Sequence, residues 1–381
     1  MTNRVQKLNN VLDDDELELS TTIEFVKTWD VAVIGGGVIG LSLAWRLQRD
    51  GVSVLVVDKG EPGREATYAA GGMIAHCDPH NPPALAGMIA GSARMYPEFV
   101  RELRDEGFES PDLRDAGTIA FLAGEESPSC DGARPLDDSE ISRLEPLVTL
   151  RGRAFFLPER SVDPRKLASA LEKAARRQGV DFVTGSPVTE VAVLGGQATG
   201  VRTAKSFYAA GVVVNCAGAW AAQIKPFGAP TRPVKGQMLC VVPKSGTHPA
   251  GPMIRHTVRT PEVYIIPRSD GRIVVGATVE EAGFDKRVEP ETVQRLHRAA
   301  EKVAPAIGQM RIHDAWAGLR PGSPDGLPIL GPSSRTGYYM ASGHYRDGIL
   351  LAPITARVMA QLLSGQATDF DLTHFSPLRF S

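Results

Sequence analysis

The first clear pattern along the chain is an apolar strand, a glycine-rich turn and a helix. The run from Trp29 to Ile34 is mainly apolar, Gly35 to Gly37 interrupts it, and residues from about Val38 to Gly51 carry apolar side chains at helical spacing. A second apolar run, Ser53 to Asp58, follows. This order predicts a β-α-β unit with parallel strands.

Two helices and a strand are predicted in the middle of the chain. The pattern favours a helix from about Ala84 to Glu106 and a strand over Thr118 to Leu122. The pair Asp163-Pro164 supplies an N-cap followed by proline at the first helical position, and Gly179 stands where a C-terminal cap belongs. We therefore predict a helix over Pro164 to Gln178.

Short strands dominate the rest of the sequence. Four runs predict strands: Asp181 to Thr184, Val188 to Val193, Gly211 to Ala217 and Tyr338 to Ala341. Between Met238 and Thr278 the alternation predicts an antiparallel sheet, with a hairpin that joins Val263–Pro267 to Ile273–Ala277 through Ser269-Asp270-Gly271. A last helix is predicted from Gly348 to just before Gly365.

Composition narrows the class of protein. With 381 residues, 43% of them hydrophobic and 23% charged, the chain can bury a large core and form about two domains. A formal net charge of −2 provides no basic field for phosphodiester backbones, so we expect no nucleic-acid partner.

Cysteine spacing and the absence of long apolar runs bear on the compartment. Four cysteines, Cys77, Cys130, Cys216 and Cys240, lie far apart in sequence and form no C-x-x-C pair, which favours reduced thiols and a cytoplasmic protein. No run approaches the roughly 18 apolar residues that span a bilayer, and the N-terminus has no signal pattern. We expect no membrane span, and residues 1–28 are interpreted as an N-terminal extension.

The glycine-rich turn carries the first functional signal. Gly35-x-Gly37-x-x-Gly40 between a strand and a helix permits a tight turn, close approach of the backbone to a pyrophosphate and close helix packing. Asp58, at the end of the second strand, is placed to accept hydrogen bonds from ribose hydroxyls. The alternative is a glycine turn that only tightens the junction, and the motif alone does not separate NAD from FAD.

The next segments favour FAD and carry a resemblance. Arg64 to Met73 is rich in small residues, as a surface against a large flat ring requires. With this segment, four motifs make the chain, from about Trp29 to about Leu363, resemble the D-amino-acid-oxidase superfamily and, within it, the glycine oxidases associated with thiamine biosynthesis. The motifs are Val214 to Trp220, Trp316 to Pro321, Pro324 to Pro328 and Gly343 to Pro353.

The resemblance implies non-covalent FAD and an α/β fold, in which a Rossmann-like FAD-binding domain is joined to an α+β antiparallel-sheet substrate domain. The FAD domain is assigned residues 29–91, 156–235 and 318–381, and the substrate domain residues 92–155 and 236–317. The residues implied around FAD are Gly35, Gly37, Val38, Ile39, Gly40, Asp58, Lys59, Thr67, Ala69, Ala70, Gly71, Gly72, Met73, Val188, Cys216, Ala217, Gly218, Trp220, Arg320, Gly343, His344, Tyr345, Arg346, Asp347, Gly348 and Ile349.

The loop from Gly343 to Gly348 has a physical reason to face the flavin. It opens a helix, whose amides and positive dipole end suit the flavin edge where negative charge collects on reduction. The alternative is an ordinary glycine-rich helix cap.

The resemblance also implies a substrate site. Arg320 matches the family arginine that clamps the substrate carboxylate, for which a planar, permanently charged fork is well suited. Tyr264 matches a tyrosine whose hydroxyl meets the same carboxylate, although a buried tyrosine bonded to backbone is the alternative. Arg346 and Met73 match pocket-lining positions, with a loop salt bridge and core packing as their alternatives.

Two residues depart from the family pattern. Glu262 stands where a glycine oxidase has histidine, and strand alternation would place it on the face of Tyr264, where it would favour a cationic substrate. Asp347 stands where the family loop more often has asparagine. The segment His76-Cys77-Asp78-Pro79-His80 holds ligand-type residues, but its proline and short spacing fit no standard metal site, so we predict no metal.

The function implied is oxidative deamination of a small amino acid, such as glycine, sarcosine or a D-amino acid. The α-hydrogen passes as hydride to FAD, and dioxygen becomes hydrogen peroxide. The alternatives are a dehydrogenase that passes electrons to a quinone or a partner protein, and a non-catalytic FAD-bearing subunit that would not need both Arg320 and Tyr264. A homo-oligomer is compatible with the sequence.

Overall fold

A computed structural model describes residues 27–128, 130–226, 228–244 and 253–380. Its strands, in chain order, are β1 (Thr28–Ile34), β2 (Val54–Val57), β3 (Met73–Ile74), β4 (Thr118–Phe121), β5 (Arg134–Leu136), β6 (Ala154–Leu157), β7 (Arg160–Ser161), β8 (Asp181–Val183), β9 (Val188–Leu194), β10 (Gln197–Thr203), β11 (Phe207–Asn215), β12 (Arg232–Val242), β13 (Thr257–Arg259), β14 (Tyr264–Pro267), β15 (Ile273–Gly276), β16 (Arg311–Gly322), β17 (Ile329–Pro332) and β18 (Tyr338–Ser342). Its helices are α1 (Val38–Arg49), α2 (Ala66–Ala69), α3 (Ala86–Asp105), α4 (Asp138–Leu144), α5 (Pro164–Gln178), α6 (Pro290–Val303) and α7 (Gly348–Leu363).

Sheet 1 is built on the predicted β-α-β unit. Its path is β17-β18-β11-β1-β2-β8, and β10 and β9 extend it from β11. The pairs β18/β11, β11/β1, β1/β2 and β2/β8 are parallel, and the pairs of β17, β10 and β9 are antiparallel. Because β1 is central, its carboxyl end opens in the middle of the sheet, where ligands of doubly wound folds bind.

Sheet 2 is the mainly antiparallel sheet that the alternation predicted. Its path is β16-β12-β15-β14-β13-β4-β6-β5, and only the pair β13/β4 is parallel within it. The predicted hairpin is formed by β14 and β15. The two sheets with their helices confirm the predicted α/β class with an added antiparallel sheet.

Each sheet has its own apolar core. On one face of sheet 1, α1 packs against α5 and α7, and α3 packs against α7. The core of sheet 2 is closed by α6, which places Val293 and Leu296 against Ile265 and Val275 of the hairpin. The alternating apolar side chains of the strands are therefore buried on the faces that the helices cover.

Local chemistry explains the helix ends. The Asp163 carboxylate accepts hydrogen bonds from the amides of Arg165 (3.0 Å) and Lys166 (3.4 Å), and Gly179 ends α5 at φ 98°. The prediction for α5 is confirmed at both ends. The helix predicted over 84–106 begins at Ala86 after a 3₁₀ turn, and the strand predicted from Gly211 begins earlier, at Phe207.

The predicted N-terminal extension lies almost wholly outside the described residues, and Thr28 already belongs to β1. The predicted domain boundaries remain predictions, and three of them, at 155, 235 and 317, fall within strands of sheet 2. Among the helices of the described segments, none is both long and apolar enough to cross a bilayer.

The expectation of reduced cysteines is wrong for one pair. Cys77 and Cys130 form a disulfide with their Cα atoms 4.9 Å apart, while Cys216 and Cys240 are buried free thiols. The sequence separation of 53 between the bonded cysteines does not indicate their distance in space, because the fold brings their two loops together. Because this pair is bonded, cysteine usage no longer favours a cytoplasmic protein.

The disulfide predicts a labelling pattern. Unfolded without reductant, the protein should react with two equivalents of iodoacetamide, at Cys216 and Cys240, and with four after reduction, as counted by mass spectrometry. The Cys130→Ser variant should react with three in both conditions. Four labels on the unreduced wild type would contradict the disulfide.

Candidate active site

The β1–α1 turn presents backbone amides and one carboxylate to a shared cavity. Asp58 follows β2, and its carboxylate accepts hydrogen bonds from the amides of Gly36 (2.6 Å) and Gly60 (2.8 Å). Burial raises the pKa of Asp58, although these two amides act in the opposite direction. The acid is thus held beside the turn, where its remaining acceptor capacity faces the cavity.

The same turn fits a dinucleotide. Around a Cβ added to Gly37, the nearest atom is the Thr67 hydroxyl oxygen at 3.5 Å, so this backbone faces open space that a phosphate can approach. Helix α1 starts directly after it at Val38, whose amide donates to the Thr67 hydroxyl at 2.9 Å. A helix N-terminus reached past a glycine supplies amide donors for the pyrophosphate of FAD, and the neighbouring carboxylate supplies an acceptor for its ribose hydroxyls.

The cavity runs from this turn to the face of sheet 2 and contains about 1810 Å³ of space between protein atoms, its open mouth included. Most residues predicted around FAD line it. They are Gly35, Gly37, Val38, Ile39, Asp58, Lys59, Thr67, Ala69, Ala70, Gly71, Gly72, Met73, Val188, Cys216, Ala217, Gly218, Trp220, Arg320, His344, Tyr345, Arg346, Asp347, Gly348 and Ile349.

Three predicted site residues lie outside the lining of this cavity. A Cβ at Gly40 would collide with the carbonyl oxygen of Gly35, so Gly40 serves close packing of α1 on β1. Gly343 turns the chain at φ 74° before the loop. Glu262 is exposed and lies in the turn before β14, where its amide donates to the Thr260 hydroxyl. Because Glu262 is not part of the strand, strand alternation does not place its side chain on the face of Tyr264.

Arg320 is held at the sheet 2 end of the cavity. It lies on β16 opposite Val234 of β12, and its Nη1 donates to the carbonyls of Thr278 (3.0 Å) and Lys235 (3.3 Å). Its guanidinium lies over Gly236, where an added Cβ would collide with it. The guanidinium can therefore lie against the sheet because residue 236 has no side chain.

Tyr264 is the partner of Arg320 in the cavity. A Cβ at Gly276 would lie 2.7 Å from the Tyr264 ring, so the ring rests against the backbone of β15. Its hydroxyl donates to the Met238 sulfur at 3.6 Å. Burial raises the pKa of Tyr264, and the charge and hydrogen bond of Arg320 partly oppose this, so the phenol stays protonated with the guanidinium beside it.

A second group of charges lies near the cavity mouth. The Asp78 carboxylate is 3.2 Å from Arg259 Nη1 and 3.6 Å from Arg346 Nη2. Burial opposes ionisation of Asp78, but Arg259 and the His80 amide outweigh it and hold its pKa below the usual range. Arg346 is about half exposed, with 51% of its side chain accessible, so it stands at the rim.

The buried His344 and the partly buried Asp347 lie at the start of α7. His344 contacts the Thr355 hydroxyl at 3.1 Å, and burial lowers its pKa to about 3, so the ring is neutral at physiological pH. Asp347 is the N-cap residue of α7, and burial raises its pKa to about 6.

Sequence reasoning missed several lining residues, among them Asp78, Gly236 and Met238. Gly236 and Met238 alternate along β12, a signal that strand periodicity could have given. Asp78 stood inside the segment set aside as a poor metal site. In that segment His76 lies near the sulfurs of Cys77 and Cys130, but the disulfide occupies both sulfurs, so they do not offer thiolates to a metal.

Comparison with known proteins agrees with this geometry. A family model described as FAD dependent oxidoreductase matches residues 30–362. The chain is 35% identical to the bifunctional protein ThiO/ThiG of Synechocystis over 93% of its own length, and it spans only 54% of that relative. It is 32% identical to a glycine oxidase of Pseudomonas aeruginosa, over 91% of this chain and 98% of the relative.

A solved structure extends the comparison to the fold. The crystal structure of glycine oxidase from Geobacillus kaustophilus superposes with a TM-score of 0.84 at 30% identity, and the match covers 92% of this chain and 98% of that one. The cofactor predicted from the turn and the following segments is confirmed as FAD at the level of the family. Since the family match extends from β1 to the end of α7, the protein belongs to the FAD-dependent oxidoreductase family.

Proposed function

We propose that the protein oxidises the carbon–nitrogen bond of a small amino acid, such as glycine, sarcosine or a D-amino acid. The observation that carries this proposal is the pair Arg320 and Tyr264, which lies at the sheet 2 end of the cavity that begins at the dinucleotide turn. Bound FAD would supply the acceptor for the hydride of the substrate, and dioxygen would take up the two electrons and become hydrogen peroxide.

Arg320 and Tyr264 bind the substrate carboxylate in this proposal. Two carbonyls accept hydrogen bonds from Nη1 of the guanidinium and the Tyr264 hydroxyl accepts a further one, which leaves the remaining N–H groups for a carboxylate. The protonated phenol of Tyr264 adds a neutral donor when its hydroxyl turns from the Met238 sulfur to the carboxylate. The carboxylate thereby fixes where the α-carbon stands in the cavity.

Apolar walls around this pair favour the reactive form of the amine. Met73 and Met238 line this end of the cavity and belong to one apolar cluster with Tyr264. A substrate ammonium placed against such walls loses hydration, so the neutral amine is favoured there. Relatives named glycine oxidase support a small substrate.

We further propose that the lining residues named above hold FAD without a covalent bond. Of the cavity-lining residues that the structure describes, Cys216 is the one cysteine. Burial raises the pKa of its thiol to about 12, so it does not supply a thiolate nucleophile near neutral pH. His344 is neutral and engaged with Thr355.

Selection of a cationic substrate by Glu262 is not proposed again, because this side chain lies in an exposed turn. The rim charges Asp78 and Arg346 already pair with each other at 3.6 Å. We also propose dioxygen as the acceptor of the electrons.

Arg320→Ala should raise KM for glycine by about 10- to 100-fold, because a charge-assisted bidentate pair contributes a few kcal/mol. FAD content, read from absorbance, should stay near that of wild type. The assay is peroxide release with glycine, sarcosine, D-alanine and D-proline. Arg311→Ala, on an exposed position of the same strand, is the matched control. If no substrate reduces the flavin even without air, the proposal fails; reduction with slow reoxidation in air would indicate a dehydrogenase.

Gly236→Ala should raise KM for the same substrates by about 10-fold or more, because the added methyl collides with the Arg320 guanidinium. Thermal stability and FAD content are the accompanying readouts. Gly211→Ala is a fair comparison, since its added Cβ meets the Asp30 carbonyl oxygen at an ordinary 3.4 Å. Equal KM values in both variants would show that Gly236 does not set the place of Arg320.

Asp347→Asn should stabilise the protein in a pH-dependent way. The folded pKa of about 6 lies above the ordinary value of 3.8, so wild type loses stability relative to the variant as pH rises from about 4 to about 7. Above pH 7 the difference should be constant, at about 2 to 3 kcal/mol. Urea unfolding across this range measures it, with Asp131→Asn as an exposed control. A difference independent of pH would contradict the raised pKa.

A further inference from the structure

A buried lysine lies directly behind the arginine that we propose as the carboxylate clamp. Lys235 precedes Gly236 on β12, so strand alternation sends its side chain to the face opposite the Arg320 guanidinium. Only 2% of that side chain is accessible. Its Nζ is 3.3 Å from a carboxylate oxygen of Glu280 and 3.9 Å from one of Glu289.

Glu280 is the centre of a polar network on this face. Its carboxylate accepts hydrogen bonds from Gln237 Nε2 at 2.9 and 3.3 Å and from the Thr278 hydroxyl. Burial opposes ionisation of Glu280, but Thr278, Gln237 and Lys235 outweigh it and hold its pKa below the usual range. The Glu280 carboxylate that faces Lys235 is therefore ionised at neutral pH.

The network also locks the backbone of the segment after β15 to β12. The amide of Lys235 donates to the Glu280 carbonyl at 2.9 Å, and the Glu280 amide donates back at 2.9 Å. The Gln237 amide donates to the Thr278 hydroxyl at 2.8 Å. Both segments are thus held in one register by main-chain and side-chain bonds together.

Two carbonyls of these locked segments are the acceptors for Arg320. Its Nη1 donates to the carbonyls of Thr278 and Lys235, at 3.0 and 3.3 Å. The same residues therefore carry the network on one face and orient the guanidinium on the other. A buried ion pair is weak evidence for added stability, since its desolvation offsets its attraction. Orientation of the Arg320 guanidinium explains why the Lys235–Glu280 pair lies behind it.

We propose that Lys235 and Glu280 are positioning residues that set the affinity for the substrate carboxylate by fixing the guanidinium of Arg320. This inference rests on the proposed role of Arg320. It assigns no contact with substrate to Lys235 or Glu280. Their loss should therefore act on KM and on the binding of simple carboxylates, and should change kcat little.

The experiment titrates the holoenzyme with acetate, a carboxylate without an oxidisable amine, and follows the flavin absorbance. Lys235→Met and Glu280→Gln should each raise the Kd for acetate by about 5- to 20-fold, with a parallel rise in KM for glycine and kcat within about 3-fold of wild type. Lys235→Arg should restore near-normal affinity because it retains the charge. Lys166→Met, which removes an ion-paired lysine on α5, should leave the Kd unchanged.

The Arg320→Ala variant separates the two proposals. If it binds acetate as tightly as wild type, the clamp itself is wrong. If it loses affinity while Lys235→Met and Glu280→Gln keep it, only the positioning role is overturned. A fall in kcat at constant KM in Lys235→Met and Glu280→Gln would also overturn the positioning role.

A variant that removes less of the network covers the case in which the charged-pair variants fail to fold. Thr278→Val deletes only the hydroxyl that donates to Glu280 and accepts from the Gln237 amide. Its Kd for acetate should rise by about 2- to 5-fold. An unchanged Kd in this folded variant overturns the inference.

Discussion

The structure depends first on the contact between α1 and β1. Gly40 has no side chain, so the helix approaches the carbonyl oxygen of Gly35 as closely as its backbone allows. This contact places the first turn of α1, whose amides have no partner within the helix, at the carboxyl end of the central strand of sheet 1. A larger residue at position 40 would push the helix away and move these amides out of the cavity.

Glycines also leave room for neighbouring groups at the other end of the cavity. Gly236 and Gly276 leave room for the Arg320 guanidinium and the Tyr264 ring against sheet 2. Main-chain groups of the β1–α1 turn lie within reach of a ligand at one end, and those of β12 lie beside a charged side chain at the other. At both the FAD end and the substrate end, a glycine without a side chain therefore allows a polar group to approach the backbone.

The buried charges around the cavity have partners that offset them, and Asp347 is the exception. Arg259 and Arg346 offset Asp78, while two carbonyls and a neighbouring phenol surround Arg320. Asp347 is different because its carboxyl has a raised pKa at the start of α7. The preference of the helix N-terminus for negative charge does not compensate for the loss of water around this carboxyl.

Local sequence determined the elements and the dinucleotide turn, while the motifs that indicated FAD are spread along the whole chain. The periodicity of apolar residues, the caps of α5 and the glycine spacing before α1 act over a few residues, so the chain itself reveals them. Only the tertiary structure decided which distant residues meet. Cys77 with Cys130, Lys235 with Glu280, and Asp78 with Arg259 are pairs whose members lie on different elements. Glu262 was misplaced for the same reason, since the residue at which β14 begins depends on pairing with β13 and β15, which sequence alternation does not contain.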